Sequence, residues 1–359
     1  MSIINKLLRI QKVYIFFISF ILFIIIFSTD FLRAATFKVS DIKISSSFEL
    51  NFNKNKVIDD GFRESFYNLM IMITTSGDKN KIKKVSIKEI KNMVDSFTIS
   101  EEKFINNIYY ANLETSFNKK KILKYLEKKN IFPSIPVKNK VLLIPILIDT
   151  KIDNVYLFDK NIFYKKWNDE NKNYQLLEYL LPSEDIEDLN KIQEMSTSIE
   201  SYDFTNMIKQ YDIDDYIISI IYKDEDNIKV LSKINLKDSF KVNNQRYSKI
   251  DLNKEKDFKK ILENLKIIYD DHWKKNNEIN TSIKLPLTVS VSSKDYRKVL
   301  ELEKTFNGMD LISDFYILKF DNKDIQFKII YNGSPKTFLS DLKKRDFDLI
   351  TKNDMWKIE

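Results

Sequence analysis

Apolar positions recur along most of the chain in one of two rhythms, and the switches between them divide it into elements. From Phe37 to Phe52, β-branched and aromatic residues alternate with Lys, Ser and Asp, the pattern of a half-buried strand. Ile58, Phe62, Phe66, Leu69 and Ile73 then repeat at helical spacing, and Gly77 is expected to end that helix. Ser86 and Glu89 have the spacing of a capping box for a shorter helix expected to carry Ile90, Val94 and Phe97. Strict alternation at Tyr109, Ala111, Leu113, Thr115 and Phe117 predicts a second strand, after which Asn118 caps a helix with Ile122, Leu123 and Leu126.

The continuous apolar run from Val141 to Ile148, ending in Asp149, predicts a strand buried on both faces. Ser183, followed by Glu184, Asp185, Glu187 and Asp188, marks a helix start. Tyr216 to Tyr222 and Ile228 to Leu236 flank Asp224-Glu225-Asp226-Asn227 as a hairpin with an acidic turn. A third strand around Phe240 and Val242 and a long helix from Glu255 to about Lys275 complete this stretch. The last part reads strand Leu285 to Ser292, helix Asp295 to Phe306, strands Leu311 to Phe320 and Ile325 to Tyr331, a helix opened by Ser334-Pro335, and strand Phe347 to Ile350. That order, β-α-β-β-α-β, is the ferredoxin-like split unit. The expected fold class is α+β, with α/β domains over 36–136 and 137–278 and a ferredoxin-like domain over 279–359.

The N-terminus follows a different rule. Lys6, Arg9 and Lys12 precede Val13 to Phe27, interrupted only by Ser19, and Ser28 to Ala35 supplies a polar, small-residue region. This is the layout of a secretory signal peptide over 1–35. The apolar core would span ~22 Å as a helix, short of the ~30 Å of bilayer hydrocarbon. Both outcomes place the remainder in the periplasm: soluble after cleavage, or tethered to the inner membrane with residues 13–28 as the membrane-associated segment.

Composition excludes several chemistries. No cysteine removes disulfides and thiolate sites, and a single histidine, His272, leaves Ser-His-Asp triads and multi-histidine metal sites nothing to build on. Four scattered glycines (Gly61, Gly77, Gly308, Gly333) allow no GxGxxG or P-loop. The net charge of +7 would favour anionic partners, but six arginines among 59 basic residues, and 52 interspersed acids, read as a solvated surface rather than a nucleic-acid site. Asp270-Asp271-His272-Trp273 could hold a metal or act as an acid/base cluster. His272 and Trp273 nevertheless fall on the apolar stripe of the long helix, which favours packing. Asp224 to Asp226 lack the spacing of a calcium loop, and the acids at 184–188 suit a helix N-terminus. Trp167 and Trp356 are expected as core or interface anchors. No catalytic, cofactor or metal residue is assigned.

The stretch Val57 to Met70 with its closing Thr75-Ser76-Gly77-Asp78, then Tyr110 to Phe117, resembles the proteobacterial envelope proteins catalogued as domain of unknown function 2066. Val141 to Ile148, Leu181 to Asp188 and Ser293-Lys294-Asp295-Tyr296 carry the resemblance further. It implies a secreted protein. The middle domain is also similar in layout to Tol-type and penicillin-binding-protein-activating lipoproteins, which bind partners without catalysis. The expected function is a non-enzymatic partner-binding or assembly module of the envelope, with envelope proteins as partners. The alternatives are a carboxylate-dependent hydrolase and an adaptor to an anionic membrane or polymer surface.

Overall fold

The structure is a computed structural model that describes residues 36–169, 172, 174–352 and 355–358. The expected signal or anchor segment, 1–35, lies outside the described residues. No helix among the described residues is long and apolar enough to cross a membrane. The fold is α+β, and the described residues form three β-sheets, each packed against helices over a core of its own.

The first sheet has the order β1-β3-β2, from β1 (Thr36–Ser47), β2 (Val94–Ile105) and β3 (Ile108–Asn118), all antiparallel. Its inner face is covered by α1 (Lys54–Ile73), with α2 (Lys79–Ile82), α3 (Ile87–Met93) and α4 (Lys119–Lys128) around it. Phe62, Phe66, Leu69 and Ile73 form the buried stripe of α1, as their spacing predicts. The helix stops at Thr74 rather than Gly77. Thr74 turns to an extended conformation while its N–H and its hydroxyl both donate to the Met70 carbonyl, and no described glycine has a positive φ. Asn118 caps α4 and Ser86–Glu89 forms a complete capping box. Val94 and Phe97, expected on that helix, lie instead on β2, an almost wholly exposed strand with two register shifts against β3.

The middle sheet runs β5-β4-β7-β8-β9 with β6 beside the start of β4. It comprises β4 (Asn139–Asp149), β5 (Asn154–Tyr156), β6 (Leu177–Leu180), β7 (Tyr216–Asp224), β8 (Asn227–Leu236) and β9 (Ser239–Tyr247). Val141 to Ile148 are all buried where side chains report, because both faces of β4 are covered. On one face lie α5 (Ile162–Lys166) and the 22-residue α8 (Glu255–Asn276). On the other lie α6 (Ile186–Glu194) and α7 (Thr205–Lys209). The α6 cap is Asp185, whose carboxylate accepts from the Glu187 and Asp188 N–H groups; Ser183 lies outside the helix. Trp167 is fully buried, stacked on Tyr269 and edge-on to Tyr179.

The third sheet departs from the ferredoxin-like expectation by one strand. β10 (Leu285–Ser292), α9 (Tyr296–Gly308), β11 (Ile312–Phe320), β12 (Asp324–Tyr331), α10 (Pro335–Lys343) and β13 (Leu349–Lys352) follow the β-α-β-β-α-β sequence. In the split unit β13 would pair with β10. Here the chain reverses, and β14 (Met355–Ile358) inserts between them, parallel to β10, giving the order β11-β12-β10-β14-β13. The insertion is stabilised by burial: Ile358 is 4% exposed, and Trp356 stacks on Phe338 of α10. A four-residue strand has too few positions for its period to be read from sequence.

The units are tied together by named contacts. Ser134 bridges Glu278 in antiparallel fashion, the Ile135 N–H donates to Asn277, and the Ile279 N–H donates to Pro133. Lys119, 6% exposed, pairs with Asp310 at 3.0 Å, joining the first unit to the third. Asn332 donates to the carbonyls of Thr281 and Ile283, fixing the linker ahead of β10.

Candidate functional site

α8 carries two adjoining stripes. Phe258, Ile261, Leu262, Leu265, Tyr269 and Trp273 pack on the middle sheet, while Lys266, Asp270 and Lys274, spaced i, i+4 and i+8, run beside them. Lys266 and Lys274 are 5% and 4% exposed, so the second stripe is buried although it is fully charged. Burial requires pairing. The Lys274 Nζ donates to Asp270 and to the Ile71 carbonyl at the end of α1, and Asp270 also accepts the Leu176 N–H at 3.3 Å. Desolvation pushes the Asp270 carboxyl above its ordinary range, against the opposing pull of Lys274.

The candidate cluster Asp270-Asp271-His272-Trp273 therefore does not converge. Asp271 accepts from both the N–H and the hydroxyl of Ser76, at 2.8 and 2.6 Å. The His272 Nε2 donates to the Ser239 carbonyl at 3.3 Å, and burial lowers the imidazole pKa. The Trp273 Nε1 donates to Val137 at 2.9 Å. With about 100° between successive residues on a helix, consecutive side chains radiate. Each one anchors a different segment, and no group of three or more metal-ligating side chains occurs among the described residues. Residue type marks this tetrapeptide in the sequence, whereas Lys266 and Lys274 are marked only by the i, i+4, i+8 Lys-Asp-Lys spacing that they share with Asp270.

Between α1, the 76–83 turn, β6 and α8 lies a groove of about 400 Å³. Met70, Ile71, Ile82, Leu177 and Ile267 contribute its apolar wall, and burial holds the Tyr179 phenol well above its usual pKa. Its three carboxylates are engaged: Asp270 by Lys274, Asp271 by Ser76, and Glu263 by Lys172 at 3.2 Å. The Glu225–Asp226 turn is exposed, with Glu225 3.3 Å from Lys151.

The other distinctive surface is apolar. At the far end of β1 from Thr36, Phe48 packs against Phe52 and Phe104, with each pair of ring centroids 4.9 Å apart, and Phe104 packs on Tyr109 at 5.2 Å. Asn106 and Asn107, both with positive φ, make the tight turn that sets β2 against β3 there. Phe48, Leu50, Phe104 and Ile105 are 49%, 111%, 57% and 51% exposed. Two exposed rings in contact, Phe48 and Phe104, with exposed Leu50 and Ile105 beside them in the chain, are unlike the singly scattered apolar side chains of an ordinary surface. No family model matches the chain. No curated protein matches it either.

Proposed function

We propose that the protein is an exported, non-enzymatic partner-binding or assembly module of the cell envelope. The observation that carries this reading is the exposed aromatic tip formed by Phe48 and Phe104, flanked in the chain by exposed Leu50 and Ile105. Such clusters bury well in protein interfaces, where aromatic side chains dominate the energetics. The resemblance of Val57 to Met70 and Tyr110 to Phe117 to the envelope proteins of domain of unknown function 2066 supports the same reading. So does the signal-like layout of residues 1–35. The engagement of Asp270 to Trp273 in tertiary contacts leaves binding as the chemistry best supplied.

The test is a photo-crosslinking residue placed at Phe104 of the full chain in living cells, with exposed Lys128 as control. A discrete crosslinked envelope protein at Phe104 and not at Lys128 is expected. Equal labelling at the two positions, or none at Phe104, overturns the reading. The export component is tested by fusing residues 1–40 to a reporter active only outside the cytoplasm, where silence refutes it.

A further inference from the structure

The sheet edges of the molecule are not protected alike. An exposed edge strand offers unpaired N–H and C=O groups to any extended chain, and proteins blunt such edges with bulges, short length or charge. β1 has a register shift between Val39 and Ile42, and β2 and β11 have two each. β5, β6 and β13 are three, four and four residues long. β9 is different: its nine residues pair with β8 in unbroken register from Ile228↔Tyr247 to Leu236↔Ser239, and among the described residues nothing pairs with its other side.

The orientation of that free edge follows from the turn. Lys237 and Asp238 both have positive φ, the geometry of a two-residue type I′ hairpin, in which the Ser239 N–H donates to Leu236. Ser239 therefore faces β8, and the alternation of an antiparallel ladder turns the N–H and C=O groups of Phe240, Val242, Asn244 and Arg246 outward. The side chains of these four residues are exposed on one face, Phe240 at 60% and Val242 at 48%. Lys229, opposite Arg246, and Lys233, opposite Val242, lie on that face; Lys241 is exposed on the other. β9 contains no acid, and neither Lys241 nor Arg246 is in an ion pair among the described residues.

We infer that β9 is a docking edge that takes an extended acidic segment of a partner protein by strand addition. The ladder groups supply affinity without regard to sequence, and the cations select carboxylate-bearing strands. A second copy of this chain is disfavoured, since pairing β9 with itself would bring together two strands that each carry Lys241 and Arg246 and no acid, leaving neither cation a carboxylate to meet. This surface is separate from the aromatic tip, so its test does not depend on the crosslinking result above.

The probe is a fluorescein-labelled octapeptide alternating valine and glutamate, titrated into the full chain and followed by anisotropy, beside its valine–lysine counterpart. Saturable binding of the acidic peptide, at least tenfold tighter than the basic one, is expected. Asn244→Pro removes one outward N–H while sparing the ladder to β8, a position at which an edge strand accepts proline. It should abolish binding, and Lys241→Glu with Arg246→Glu should weaken it at least tenfold, both with the melting transition retained. If Asn244→Pro unfolds, the charge pair decides. Hydrogen exchange should slow on binding at Phe240, Val242, Asn244 and Arg246 and not at the intervening residues. No saturable binding, equal affinity for both peptides, unaltered binding in the charge variant, or self-association lost in the charge variant would each overturn the inference.

Discussion

Replacing Lys274 by methionine isolates the cost of the buried charged stripe on α8. Lys274 is 4% exposed, and its amine satisfies Asp270 and the Ile71 carbonyl together. Methionine fills a similar volume but leaves a carboxylate with one remaining donor, the Leu176 N–H. Breaking a buried pair from one side costs about 3 to 5 kcal/mol. The Asp270 side chain retains 13% exposure, and so about 3 kcal/mol is expected. Burial already holds the Asp270 pKa above 3.8, and removing Lys274 raises it further. The folded state of the variant then binds more protons than the unfolded state across the interval between those values. Its stability consequently falls as pH rises through that interval and is partly recovered on acidification. The double variant Lys274→Met, Asp270→Asn keeps an acceptor for Leu176 without the charge and should regain most of the loss. Urea unfolding by circular dichroism at pH 7 and pH 5 reads all of this. A single-variant loss below about 1 kcal/mol at pH 7, an equal loss at both pH values, or a double variant no better than the single would refute the account of this pair.

Two further outcomes follow from the packing. A Cβ at Gly61 would stand 2.6 Å from the Leu113 Cδ2 and 2.9 Å from the Ile44 Cγ2. Gly61→Ala should thus destabilise by about 1 kcal/mol in thermal unfolding, overpacking exceeding the gain in helix propensity, and a stabilised variant would show that α1 does not approach the sheet so closely. Burial, with Lys241 and Lys275 adding repulsion, lowers the His272 pKa below 6.5, so stability is full above that value and is lost as pH falls through the folded pKa. His272→Gln should flatten the stability profile over that window, and an unchanged slope would show that the imidazole is not desolvated.

The elements legible in the sequence were the long ones, whether their burial is one-sided or, as in β4, complete. α1 and α8 present enough positions for a period to emerge, β4 an unbroken apolar run, and Asn118 and the Ser86–Glu89 box mark their helices through bonds made within four residues. β2 carries no readable alternation because it is exposed along almost its whole length, with only Val94 and Ile99 half-buried, so that Phe97 could be counted on the helix before it. β14 was missed because its place is set by a parallel contact with β10, more than sixty residues earlier. The tetrapeptide 270–273 drew notice by residue type. Its meaning depended on where Ser76, Ser239 and Val137 lie, which no local pattern encodes.

Charge gives the sharper lesson, because lysine is so abundant here that its number carries no functional signal. Position restores one. Lys266 and Lys274 lie within a closed junction, where desolvation makes every charge answer to a partner and ties α8 to both the first unit and β6. Lys241 and Arg246 lie at the one long edge among the described residues without a bulge. In solvent their interaction with neighbouring charges is weak, but an incoming strand would exclude water from their flanks and strengthen each contact with a carboxylate. The same residue type thus holds the molecule together at α8 and, at β9, stays available until a partner strand supplies the opposite charge.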